Sequence, residues 1–204
     1  ARHVQHATLL VHAHDAEVAV VGGVELGLLG LVGGFLEVFG ELLLDLEEGS
    51  LLLDEVLDDY RCDGCKLKSF EKDPNLFYAS SHQWPQYPGT GRASDRGAFD
   101  NIANAPLAGG EGSLAFRRAW GETLLPALSD FGPELIVISA GFDAHRADPL
   151  GGLELTEEDF AWATRDIAAV ARDKAGGRLV SIMEGGYDLK ALSDSVAAHV
   201  KVLM

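Results

Sequence analysis

The chain has 204 residues, 47% of them hydrophobic and 24% charged, which suits one globular α/β domain with a sizeable core. Its formal net charge of -16 argues against non-specific binding to nucleic acid or to an anionic membrane, because either would be repelled over a Debye length. The longest uncharged apolar run, 26–36 between Glu25 and Glu37, falls short of the roughly 20 residues of a membrane-spanning helix.

The first third of the chain reads unlike the rest. It starts at Ala1 in place of an initiator Met, which suggests a fragment, and it shows no secretory signal. No Lys occurs before Lys66 and no Pro before Pro74, while Leu, Val, Gly and Glu dominate. Residues 18–44 are apolar almost throughout, broken by Gly22-Gly23 and Gly33-Gly34, and match neither a helical nor a strand period. Residues 42–60 fit one or two short acidic helices around Gly49-Ser50. Cys62 and Cys65 follow, spaced as a metal or redox pair rather than a disulfide framework, and a reducing cytoplasm fits them.

Beyond this point strands and helices alternate. A short aromatic and apolar run over 76–81 predicts a buried strand, and 83–112, rich in Pro and Gly, predicts a loop. A helix begins at Ser113, with Leu114, Phe116, Trp120, Leu124 and Leu128 as its apolar surface, and stops before Gly132-Pro133. The β-branched run 135–139 predicts a strand covered on both faces. Thr156 and Asp159 open a helix that reaches about Lys174, a strand follows over 179–183, and 189–203 closes the chain as a helix. This order predicts an α/β fold, a parallel sheet flanked by crossover helices.

In such sheets ligands gather where strands end at their carboxyl edge, so three loops carry the candidate chemistry. Asp143 follows the strand at 135–139, near His145 and Asp148, and the three could hold a divalent metal; a helix cap in a solvated loop is the commoner explanation of such residues. Tyr187 follows Gly185-Gly186, either offering a phenol to a site that the backbone approaches closely or packing as a turn tyrosine.

The three loops read Tyr-Ala-Ser-Ser-His-Gln-Trp-Pro-Gln-Tyr-Pro-Gly-Thr-Gly from Tyr78, Ser-Ala-Gly-Phe-Asp-Ala-His-Arg-Ala-Asp-Pro-Leu-Gly-Gly from Ser139, and Met-Glu-Gly-Gly-Tyr-Asp-Leu from Met183. In this order and spacing they resemble motifs of the histone deacetylase family, bacterial and class II-like members above all. The resemblance divides the chain into an atypical segment, 1–69, and the C-terminal part of a deacetylase domain, 70–204. It implies a partial arginase/deacetylase-like fold and zinc-dependent hydrolysis of acetyl-lysine or related acylated amines, with an acylated lysine or polyamine-type substrate as partner. Asp143 matches a zinc ligand, and Tyr187 the tyrosine that donates to the oxyanion. Gly185 matches a channel glycine whose carbonyl meets the substrate amide, and Tyr87 an aromatic rim residue. Trp84 lies in the same loop, either touching substrate or packing beneath it. Phe70, Asp73, Leu76, Ser80 and Ser81 match segments whose backbone carbonyls hold a monovalent cation, with potassium as the expected ion. Asp148 matches a structural position, and His145 a residue behind the ligands or at the surface.

The family's other two zinc ligands lie in an Asp-x-His-His-Gly-Asn-Gly-like loop, and a pair of adjacent histidines acts on the attacking water. Residues 60–69 hold no His, and His3, His6, His12 and His14 are not adjacent. The expectation is therefore an incomplete and impaired deacetylase. The alternative is a non-catalytic remnant or acyl-lysine-binding module, and a frameshift or misjoined reading frame would account for 1–69.

Overall fold

The computed structural model describes residues 9–11, 71–86 and 89–204. The stretch 18–44, the acidic helices expected over 42–60, Cys62, Cys65, Phe70 and Tyr87 lie outside the described residues.

Five strands are described: β1 (Leu9–Val11), β2 (Tyr78–Gln83), β3 (Ile102–Leu107), β4 (Ile136–Ala140) and β5 (Leu179–Met183). They form two sheets, β1-β4-β5 and β2-β3, and every ladder is parallel. β4 is central, with all five residues buried, as its Ile-Val-Ile core predicts for a strand covered on both faces. The 1–69 segment contributes β1, where Leu9 pairs with Ile138 and Val11 with Ala140.

β3 corrects the loop expected over 83–112. Its sequence Ile-Ala-Asn-Ala-Pro-Leu has one β-branched residue and a proline that cannot donate to a ladder, so it carries little strand signal. Pairing supplies what propensity lacks: Ala103 lies beside Ala79 and Ala105 beside Ser81, small residues that let the chains seat closely.

The segment expected as one helix is α1 (Ser113–Ala119), a π-helical turn (Trp120–Leu124) and α2 (Leu125–Phe131). Phe116, Trp120, Leu124 and Leu128 are all essentially fully buried, spaced by four. A regular helix of 3.6 residues per turn would rotate that series off the core, and a wider turn brings it back. Pro126, which has no N–H to give to the preceding turn, sits in the first turn of α2. Leu114, expected on the apolar surface, is instead 86% exposed, being out of step with the series of four. Gly132 ends α2 in the left-handed conformation at φ 70°.

α3 (Glu157–Lys174) crosses from β4 to β5, and α4 (Leu189–Leu203) packs beside it. Phe160, Ala163, Ile167 and Ala171 of α3 are turned into the core, where Phe142, Leu155 and Ile138 meet them.

Candidate functional site

Ala140 of β4 pairs with Met183 of β5, so the two strands end level and their loops leave side by side. The loops are tied directly: the Phe142 N–H donates to the Gly185 carbonyl at 2.8 Å, and the Glu184 N–H to the Ala140 carbonyl at 3.0 Å. Asp143 sits between them with no solvent exposure. Two glycines make room for it. A Cβ on Gly185 would lie 2.8 Å from Asp143 Oδ2, and one on Gly151 would lie 2.0 Å from the Asp143 carbonyl oxygen. Bare backbone at Gly185 thus walls the carboxylate, and Gly151 seats the backbone that carries it.

Asp148, 8% exposed, joins the same loops from below. Its Oδ1 accepts from the Leu150 and Gly151 N–H groups at 2.9 and 3.1 Å, and its Oδ2 accepts from the Tyr187 N–H at 2.7 Å. Tyr187 itself is 47% exposed, so its side chain is open to an incoming molecule. One residue on, Asp188 accepts from the Ala191 N–H at 2.8 Å and caps α4.

His145 is buried rather than at the surface. Its Nδ1 accepts from the Ala147 N–H at 3.1 Å, which puts the proton on Nε2, 3.5 Å from Glu157 Oε1. His145 and Asp148 are therefore engaged in the loop's own hydrogen bonds, and Asp143 is the candidate metal ligand of the three. Among the described residues no group of three or more His, Cys, Asp or Glu side chains could hold a metal ion.

The loop after β2 is built around His82. Its Nε2 donates to the Gly91 carbonyl at 2.8 Å, so Nδ1 accepts from the Ser80 hydroxyl at 2.9 Å. Burial holds its pKa below the ordinary histidine value, against the opposing pull of the Gly91 carbonyl. Trp84 is half-buried, with the His82 ring edge-on at 6.5 Å and the Arg92 guanidinium 5.9 Å from its centroid, so residues of its own loop pack it. Gln83 Oε1 accepts from the Gly152 N–H at 2.7 Å and binds this loop to the one bearing Asp143.

The residues expected to serve a monovalent cation form a separate group. The carbonyls of Asp73 and Leu76 lie together, accepting from the Asn101 side-chain amide at 3.0 and 2.8 Å. Ser80 and Ser81 are buried in β2, where the Ser81 hydroxyl accepts from Trp120 Nε1 at 3.0 Å.

Two buried polar networks brace the platform behind the site, and sequence reading found neither partner set. Asp159 accepts from the Ser113 hydroxyl at 2.6 Å, from Arg117 at 2.8 Å and from the Thr156 N–H at 3.0 Å. Burial alone would raise its pKa, but these bonds outweigh it and hold the carboxyl below the usual range. His199 of α4 is linked to Thr164 of α3 and Ser181 of β5 at 2.7 and 2.8 Å, and its ring meets Phe142 edge-on at 5.8 Å. Among the signals for these contacts, the Thr156/Asp159 capping pattern was visible, while the partners 42 to 46 residues away were not.

A parallel α/β sheet whose strand ends present a cradled aspartate and an exposed tyrosine on joined loops has the arginase/deacetylase architecture. Residues 56–203 match the family model described as histone deacetylase domain, and the chain belongs to the histone deacetylase family. It is 41% identical over 139 residues to histone deacetylase 14, chloroplastic, of Arabidopsis thaliana, covering 67% of this chain and 33% of that protein. It is 35% identical over 136 residues to a probable deacetylase of Archaeoglobus fulgidus, covering 65% of this chain and 38% of that one. Among solved structures, the HDA15 HD domain aligns with a TM-score of 0.61 at 36% identity, over 66% of this chain and 38% of that one. The histone deacetylase Clr3 aligns with a TM-score of 0.62 at 31% identity, over 68% of this chain and 24% of that one. The chain spans less than half the length of these curated relatives, about a third of the chloroplastic one.

Proposed function

We propose that the chain carries part of a zinc-dependent amide-hydrolase site for acetyl-lysine or a related acylated amine, with Asp143 as a metal ligand and Tyr187 as the oxyanion donor. The observation that carries this reading is the joining of the two loops, which puts a fully buried, backbone-cradled carboxylate beside the loop of a half-exposed phenol. The cradle fits a metal ligand, because Gly185 fixes where the carboxylate oxygens sit. Zinc, when bound, would polarise the amide carbonyl and lower the pKa of its water. Further ligands are needed beyond those that the described residues supply.

Tyr187 would donate its phenolic proton as a hydrogen bond to the carbonyl oxygen while that oxygen gains charge, an interaction worth on the order of 3 kcal/mol. Gly185, Trp84 and Tyr87 are the proposed lining for an acyl-lysine stem. The Gly185 carbonyl already accepts from Phe142, so it would meet a substrate amide through its second lone pair. The net charge of -16 favours a substrate that keeps positive charges besides the acylated amine, such as an acetylpolyamine or an acetyl-lysine in a basic peptide. Potassium, if held by the carbonyls of Asp73 and Leu76, would share them with the Asn101 amide that already donates to both.

A second reading, an acyl-lysine-binding module without turnover, is favoured by the lack of adjacent histidines anywhere in the 204 residues. Zinc content by mass spectrometry and hydrolysis of an acetyl-lysine probe by the full chain separate the two. Bound zinc and slow turnover, both lost in Asp143→Ala, are expected for the hydrolase. Hydroxamate binding without stoichiometric zinc supports the module, and equal zinc content in the chain and in Asp143→Ala refutes the metal-ligand assignment.

A further inference from the structure

We infer that Asp148 is a positioning residue that fixes the Tyr187 loop against the Asp143 loop, an inference that rests on the hydrolase reading for its functional meaning. The loop bearing Tyr187 needs such an anchor. It enters through Gly185-Gly186, with Gly186 at φ 139°, a conformation side chains rarely adopt, and its phenol stands 47% exposed. Two carboxylates accept from the backbone here, at Tyr187 and at Ala191 in the first turn of α4. Asp188 pins the start of α4, and Asp148, reaching across from the other loop, takes the Tyr187 N–H at 2.7 Å.

The second oxygen of Asp148 gives this contact its reference point. By accepting from Leu150 and Gly151 it closes the turn that sets Gly151 against the Asp143 carbonyl, where no Cβ could fit. One buried carboxylate thus holds the backbone of the proposed oxyanion donor with one oxygen and the backbone beside the proposed metal ligand with the other. A displacement of Asp148 alters the spacing of the two functional groups without touching either side chain. The Asp148 carboxylate accepts from backbone N–H groups of Leu150, Gly151 and Tyr187, so it acts through Tyr187 rather than on substrate.

Asp148→Asn separates the two jobs. The amide oxygen satisfies the two turn N–H groups, and the amide nitrogen then faces the Tyr187 N–H, donor against donor. The full chain labelled with 15N-tyrosine gives four tyrosine amides, and loss of one in Tyr187→Phe identifies residue 187. In the unaltered chain the Tyr187 amide proton is expected far downfield and slow to exchange despite the exposed side chain. In Asp148→Asn it should move the most of the four and exchange about tenfold faster or more, as for loss of one charge-assisted hydrogen bond. Turnover of an acetyl-lysine probe should fall about ten- to a hundredfold in kcat with KM unchanged, as for a misplaced catalytic group.

An ordinary, fast-exchanging Tyr187 amide in the unaltered chain overturns the inference, and this reading needs no variant to fold. An unmoved amide in a folded Asp148→Asn chain overturns it too, as does a kcat that does not change. Absence of turnover in the unaltered chain counts against the hydrolase reading alone, and the amide measurements then decide the positioning contact.

Discussion

His199 gives the sharpest test of how the platform behind the site is held. Thr164 donates its hydroxyl proton to the Phe160 carbonyl at 2.6 Å, so it must accept from His199 Nδ1–H, and Ser181 donates to Nε2. The ring is therefore built in as a neutral tautomer, 6% exposed between α3, α4 and β5. Burial lowers its pKa from 6.5 to about 4. The folded chain then binds fewer protons than the unfolded chain between those values, and stability falls as pH falls through that window. The gap is worth roughly 3 kcal/mol in full, present above pH 6.5 and lost by about pH 4. Urea midpoints at several pH values between 7 and 4 measure it, compared with His199→Gln, which cannot titrate there. Carboxylates titrate in both chains, so the difference in slope isolates the imidazole. Parallel curves for the two chains would show that His199 is not buried neutral and would refute the assignment.

Asp159→Ala leaves the Thr156 N–H, the Ser113 hydroxyl and Arg117 without their common acceptor, and should cost about 3 kcal/mol in urea denaturation. Because the folded-state pKa of Asp159 lies below 3.8, its contribution is present above that value and disappears as pH falls through the lower one, so the variant's deficit should shrink in strong acid. Gly185→Ala puts a methyl 2.8 Å from Asp143 Oδ2, in a backbone conformation that alanine tolerates. Zinc affinity should fall about tenfold or more while the thermal midpoint holds, and unchanged zinc binding by isothermal titration would remove the cradle from the argument.

The elements that could be read ahead of the structure are those whose cause is local. Ile136, Val137 and Ile138 are β-branched neighbours and announce a buried strand by themselves; Thr156 and Asp159 announce a helix start three residues apart. β3 could not be read, because Ala103, Ala105 and Pro106 form a strand only by virtue of what β2 offers them. The π turn lay between these cases: four apolar residues at a spacing of four were visible, but their meaning depended on which face the core required, and Leu114 was misassigned for that reason.

The site divides along the same line. The placement of Asp143 and Tyr187 just beyond strand ends was legible, because each lies a few residues past a strand in a motif that extends over many residues. What joins them was not legible, since an aspartate before a proline reads as a turn residue until a partner 39 positions away closes on it. Local sequence therefore specifies which groups stand at the strand ends, and non-local hydrogen bonds specify how far apart they stand. For a reaction in which one group must meet an oxygen that another group's metal polarises, that spacing is the quantity on which rate depends. A substitution at Asp148 should accordingly damage turnover more than its place in a turn suggests. Substitution at a solvent-facing residue such as Arg146, in the same loop, should leave turnover within about twofold.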